Sequence, residues 1–161
     1  RFSAAVAPSP KYSLNNASFG GFIFDAATTG VEFGNDYASY SMIATHYSNV
    51  RRFEINSKTD SVTKIPSNGV FIGHFHGQRS DENLSELFLD GVLQGTSSEQ
   101  SRRLPPNTFY VGAGRVAIGP TNHSNASIST AHVGRTFSTD QVVQFDSAIR
   151  SYLNAIAPSA R

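Results

Sequence analysis

His74 and His76 stand at alternate positions in the β-prone run Val70-Phe71-Ile72-Gly73-His74-Phe75-His76. On a strand, residues i and i+2 share a face, so the two imidazoles stand side by side, as paired metal ligands do. A metal site needs a third ligand. His46, His123, His132 or a carboxylate are the candidates, and the spacing places none of them. A neutral imidazole pair is equally at home facing a groove or buried with hydrogen-bond partners, so no metal is expected. The same residues suit a second chemistry. An aromatic ring stacks on the apolar side of a pyranose, while planar donors and acceptors hold its hydroxyls. Tyr47, Arg51, His74, His76, Gln78 and Arg79 could supply such a ligand-binding set; the competing reading has Tyr47 packed and the arginines merely solvated. The absence of Trp counts against the sugar-binding set. Cleavage of a glycosidic bond would need two carboxylates at a set separation. Asp81, Glu82 and Glu86 cluster after Arg79, but consecutive acids on a strand point to opposite sides, and the segment reads as a solvated turn. No catalytic residue is expected.

Composition narrows the classes. A chain of 161 residues leaves room for one domain. The balance of 13 Lys+Arg against 12 Asp+Glu, a net charge of +1, lacks the basic stripe that phosphate neutralisation requires, so no nucleic-acid partner is expected. Without Cys there is no disulfide framework, thiolate zinc site or cysteine nucleophile. No apolar run approaches the roughly 20 residues of a membrane span, so membrane insertion is not expected. Gly112-Ala113-Gly114 lacks the strand-to-helix setting of a phosphate loop, and no cofactor is expected. The four Asn-x-Ser/Thr triplets at Asn16, Asn83, Asn122 and Asn125 read as chance in so Ser-, Thr- and Asn-rich a chain. The opening Arg1-Phe2-Ser3, with Met42 the only Met, suggests a piece of something longer.

The elements that would position these residues are mostly strands. Residues 1–16 read as an extended N-terminal arm and 17–161 as a sandwich. Phe22-Ile23-Phe24, Val31-Glu32-Phe33, Ser41 to Thr45, Arg52 to Ile55, Val70 to His76, Glu86 to Val92, Thr108 to Ala113 and Ser127 to Val133 are short β-prone runs broken by Gly, Asn and Asp. That rhythm predicts an antiparallel sandwich or barrel. Asp90-Gly91 predicts a tight hairpin, because both residues tolerate positive φ. Pro120 to Ala126 reads as a polar loop. Ser138-Thr139-Asp140-Gln141 fits a capping box, with Asp140 complementing the helix dipole. Val142, Phe145, Ile149, Tyr152, Leu153 and Ile156 then recur at helical spacing, so a closing helix over about 138–156 should dock on the sheet and stop before Pro158.

In order, Gly77-Gln78-Arg79-Ser80, Glu86-Leu87-Phe88-Leu89-Asp90-Gly91-Val92, Leu104-Pro105, Phe109-Tyr110-Val111-Gly112-Ala113 and Ala131-His132-Val133-Gly134-Arg135, followed by the helix from Ser138 to Leu153, resemble the concanavalin A-like lectin/glucanase superfamily. They are most similar to its laminin-G-like branch, found in bacteriophage tail-fibre and other virion proteins. Asn15 to Gly20 and Ile23-Phe24 resemble that branch's upstream strand. The resemblance implies a mainly β fold, an antiparallel jelly-roll sandwich with one C-terminal α-helix. The superfamily's glucanases carry Glu-x-Asp-x-Glu on one strand, a spacing missing here. Family members also have a strand-forming segment before the residues resembling Val6 to Pro10. Its lack implies an open edge beside Phe19 to Phe24, covered by the arm or by another polypeptide.

The expectation is therefore a non-catalytic binding or structural module of a phage-like virion protein, not an enzyme, that recognises a host-surface glycan or a neighbouring subunit. Its partners would be a glycan, other virion subunits or the missing upstream part of the same protein. Its location would be a virion, or extracellular if the source is bacterial. The alternatives are a glycan-cleaving hydrolase with an atypical carboxylate pair, and a purely architectural virion protein.

Overall fold

The computed structural model describes residues 4–6, 12–25, 30–35, 40–47, 50–57, 65–66, 72–104, 109–116, 119–121 and 123–156. The strands of the N-terminal half are β1 (Ala4–Val6), β2 (Ala17–Asp25), β3 (Phe33–Asn35), β4 (Tyr40–Tyr47), β5 (Val50–Ser57) and β6 (Ile65–Pro66). Those that follow are β7 (Gly73–Asp81), β8 (Leu84–Leu89), β9 (Val92–Ser97), β10 (Phe109–Val111), β11 (Gly114–Val116), β12 (Gly119–Thr121) and β13 (Ser127–Gly134), and the helix α1 spans Thr139–Ile156. They form a six-stranded sheet in the order β1-β10-β3-β4-β5-β6, a five-stranded sheet in the order β13-β2-β7-β8-β9 and a β11-β12 ribbon. Every strand pairing among the described residues is antiparallel, beside one isolated parallel bridge between Val31 and His123. This is the mainly β sandwich with one C-terminal helix that the sequence predicts. Phe33, Ile43, Phe53, Ile55 and Phe109 from one sheet meet Phe19, Ile23, Phe75 and Leu87 from the other in the core. Alternation places these residues on facing sides and leaves their neighbours on the outer faces.

The local signals hold where they are described. Asp90 and Gly91 have φ of 55° and 75°, the left-handed pair of a two-residue turn joining Leu89 to Val92. At the start of α1, Gln141 N–H donates to Ser138 Oγ at 3.3 Å and Ser138 N–H donates to Gln141 Oε1 at 3.0 Å, a complete capping box. Ser138→Ala should lower the unfolding free energy by about 1 kcal/mol, with Ser138→Asp close to neutral, as read by urea denaturation. Val142, Asp146 and Leu153 are the buried face of the helix. Two members of the expected apolar stripe differ: Tyr152 is 58% exposed and Ile156 59%. Tyr152 lies roughly 80° around the helix from Val142, and Ile156 is its last residue. Asp146 takes the central position instead.

The expected open edge beside Phe19 to Phe24 is absent, because β2 lies between β13 and β7 with partners on both sides. Part of the expected arm is strand: Ala4, Ala5 and Val6 pair with Val111, Tyr110 and Phe109. Pairing with β10 satisfies backbone groups that an aperiodic sequence does not advertise. The expected loop at Pro120 begins inside β12. Val70, Phe71, Thr108, Asn122 and Pro158 lie outside the described residues.

Candidate functional site

Strand β7 sorts the candidate residues onto two faces. Phe75, Gly77 and Arg79 point between the sheets, and His74, His76 and Gln78 point to the outer face, where α1 lies. Gly20 of β2 pairs with His76 of β7 on one side and with His132 of β13 on the other. Without a side chain between them, the two imidazoles meet across an intervening strand, with His76 Nδ1 3.0 Å from His132 Nε2. Their rings lie nearly parallel, 5.1 Å apart. A Cβ on Gly20 would fall 3.0 Å from the His132 ring and 2.0 Å from the Phe75 carbonyl oxygen.

The helix and the segment before it close this cluster. Phe137 stacks on His76 at 5.3 Å, and Phe145 stands edge-on to His132 at 4.9 Å and to His74 at 5.4 Å. Gln78 Oε1 accepts from Phe137 N–H at 2.9 Å and faces His76 Nε2 at 3.2 Å, while Gln78 Nε2 donates to Glu86 Oε2 at 2.9 Å. On the other side of the cluster, His74 Nδ1 is 3.3 Å from Asp146 Oδ1. Arg150 bridges Asp146 and Asp90, and Asp90 Oδ1 accepts from His74 N–H at 2.8 Å. Burial governs the imidazoles. It holds His76 down at about 4, pushes His132 well below the ordinary histidine range with help from its imidazole neighbours, and lowers His74 despite the pull of Asp146. The three rings are neutral near pH 7.

Arg79 is buried between the sheets. Its Nε donates to the Ile55 carbonyl at 2.7 Å, Nη1 to Asp81 and Glu82 carbonyls at 3.3 and 2.8 Å, and Nη2 to the Glu99 carbonyl at 2.9 Å. One guanidinium therefore ties β5, the β7–β8 turn and the segment after β9 together, at the cost of a burial that lowers its pKa. Nearby, Tyr12 donates to Asn56 Oδ1 at 2.9 Å. Tyr47 and Arg51 lie apart from these groups, at one end of the β4–β5 pair, where their backbones match Val50 and Ile65.

The structure thus brings His74, His76 and Gln78 together and separates them from Arg79 by the thickness of the sheet. The four are 0%, 0%, 2% and 0% exposed, and the side-chain hydrogen bonds of His76, Gln78 and Arg79 are made within the fold. Asp81 and Glu82 are exposed; Asp81 accepts from Asn83 N–H at 3.1 Å and Glu82 accepts from Gln100, as turn residues do. Among the described residues, no group of three His, Cys, Asp or Glu is placed to hold a metal ion. The sequence reading did not single out Phe137 or Asp146, and it took Asp90 only as a turn residue and Gly20 only as part of a strand. Gly20-Gly21 inside a strand was the available signal, since Gly there often marks a close approach.

No family model matches this sequence, and no curated protein matches it. Solved structures do. Domain 4 of AbnA, a GH43 extracellular arabinanase from Geobacillus stearothermophilus, in complex with arabinotriose, superposes with a TM-score of 0.57 at 15% identity, over 89% of this chain and 72% of that one. A protein from Bacteroides ovatus provisionally described as carbohydrate binding gives 0.62 at 12% identity, over 88% of this chain but only 44% of its own length. The native heptameric SAP-like pentraxin from Limulus polyphemus gives 0.57 at 13% identity, over 88% and 79%. With two antiparallel sheets packed on one core and these structural neighbours, the chain has a concanavalin A-like β-sandwich fold.

Proposed function

We propose that this chain is a non-catalytic carbohydrate-binding module acting outside the cell. The observation that carries this reading is the sandwich itself, shared over 89% of the chain with a domain solved in complex with arabinotriose. The roles of the acids support it: Glu86 holds the Gln78 amide, and Asp81 and Glu82 brace a turn. Of the six candidate residues, we assign glycan contact to Tyr47 and Arg51, because His76, Gln78 and Arg79 spend their hydrogen bonds inside the fold and His74 is fully buried. A place on a phage-like tail or fibre, beside other virion subunits, rests on the sequence resemblance alone and belongs to the same proposal. No described helix is long and apolar enough to cross a membrane.

The test is a printed glycan array with arabinotriose among the probes, followed by titration and a reducing-sugar assay. The expected result is binding without turnover, weakened about tenfold or more by Tyr47→Ala, a loss of roughly 1.4 kcal/mol, with an unchanged circular dichroism spectrum. No binding to any glycan, or sugar release abolished by Glu86→Gln, would overturn the reading.

A further inference from the structure

The hydrogen bonds around Gln78 fix the tautomers that two neutral histidines take, His76 fully buried and His132 partly exposed. Phe137 N–H donates to Gln78 Oε1, and Gln78 Nε2 donates to Glu86, so the amide turns its oxygen toward His76. His76 Nε2, 3.2 Å from that oxygen, must carry hydrogen. Its Nδ1 is then a bare acceptor, and His132 Nε2–H donates to it at 3.0 Å. This leaves His132 Nδ1 as a buried lone pair with no hydrogen-bond partner among the described residues. With both rings neutral, every contact along the chain from His132 through His76 and Gln78 to Glu86 joins a donor to an acceptor.

An added proton has two destinations. On His76 Nδ1 it turns both nitrogens of the 3.0 Å contact into donors unless the His132 hydrogen moves from Nε2 to Nδ1, the position the second route also fills. On His132 Nδ1 it creates a buried N–H with no acceptor. A cation on His76 faces Phe88, Phe137 and Phe145, and one on His132 faces Phe145. The charged groups nearby serve other partners. Asp146 and Arg150 of α1 and Asp90 of the β8–β9 turn converge on His74, and Glu86 of β8 reaches His76 only through Gln78. His74 therefore has a carboxylate 3.3 Å away; among the described residues the His76–His132 pair has none within hydrogen-bond distance.

We propose that the His76–His132 pair is an acid-sensitive latch that holds Phe137 and α1 on the outer face of the five-stranded sheet while both rings are neutral and releases them when either ring is protonated. Release would bare the aromatic surface of Phe88, Phe145 and the imidazoles, while the core between the sheets contains none of the latch groups. In the open form the rings regain the ordinary histidine value of about 6.5, whereas in the closed form burial holds His76 at about 4 and His132 well below its usual range. The open form consequently binds more protons between these limits. Closure is fully favoured above about pH 6.5, weakens as the pH falls through that window, and levels off for His76 near 4. For one proton the closed-to-open ratio should fall about 30-fold between about pH 7.5 and about pH 5.

The experiment is hydrogen exchange with mass-spectrometric readout on the whole chain at those two pH values, corrected for intrinsic exchange. Protection of peptides covering 139–156 should fall by at least about 30-fold, the effect of one ring, while those of β7 and β8 keep theirs. Exchange of α1 unchanged with pH, or lost together with the strands, would overturn the proposal. Nitrogen NMR supplies an independent readout: both rings should be neutral Nε2–H tautomers near pH 7, and a ring titrating near 6.5 with α1 still protected would also overturn it. His132→Phe should reduce the pH dependence of α1 protection; an undiminished dependence in a folded variant would place the trigger elsewhere and overturn the assignment.

Discussion

Arg79→Met should lower the unfolding free energy by about 3 kcal/mol, and Arg79→Lys should recover less than half of that. Methionine fills much of the space of the arginine stem but makes none of its four hydrogen bonds to backbone carbonyls. Hydrogen bonds from a charged donor contribute roughly 1.5–3 kcal/mol each. Part of that sum is offset by the desolvation that already depresses the Arg79 pKa. The Ile55 carbonyl, held by Nε inside the core, suffers most, since water does not replace the lost donor there. Lysine places a single ammonium where a planar fork reaches three separate segments, so its rescue is partial. Urea denaturation followed by far-ultraviolet circular dichroism measures this, the chain having no Trp to report by fluorescence. A loss below about 1 kcal/mol would show that guanidinium desolvation cancels the bonds.

Phe53→Ala costs about 3–5 kcal/mol, as expected for a large buried aromatic. Phe53 is 1% exposed and projects from β5 onto β7 at Gly77, where a Cβ would lie 2.3 Å from the ring. The missing side chain of Gly77 is the hole that this ring fills. Gly77→Ala alone forces the sheets apart locally and costs roughly 1–3 kcal/mol. In the double variant the new methyl enters the space vacated by the ring, so the combined loss should be smaller than the sum by at least about 1 kcal/mol. Simple additivity in the same denaturation experiment would mean that the ring and the glycine do not share this space.

Much of the architecture was legible because its signals are local. The Asp90-Gly91 turn and the Ser138 to Gln141 capping box act over four residues or fewer, and each formed as the residue types require. The alternation of β7 likewise put His74, His76 and Gln78 on one face and Arg79 on the other. The N-terminal strand escaped notice because Ala4 to Val6 has no pattern of its own and is stabilised by a partner more than 100 residues away. The helix stripe was misjudged at Asp146, a carboxylate that tolerates its buried position because His74 and Arg150 face it.

By itself the sequence determined the class of fold, the sites of its turns and cap, and which side chains of a strand travel together, since these follow from backbone sterics and two short periodicities. Tertiary structure alone decided which way each face looks. The same alternation serves a solvent-lined groove or a surface sealed by a helix, and the choice depends on which distant strand lies alongside. Here β13 arrives on the far side of Gly20, carrying His132 to a ring 56 residues away in the chain, and α1 closes over the pair. Residues whose types suit sugar recognition thereby became the neutral, desolvated seat of a helix. The free energy that placed them there comes from long-range burial, which no local window of sequence contains.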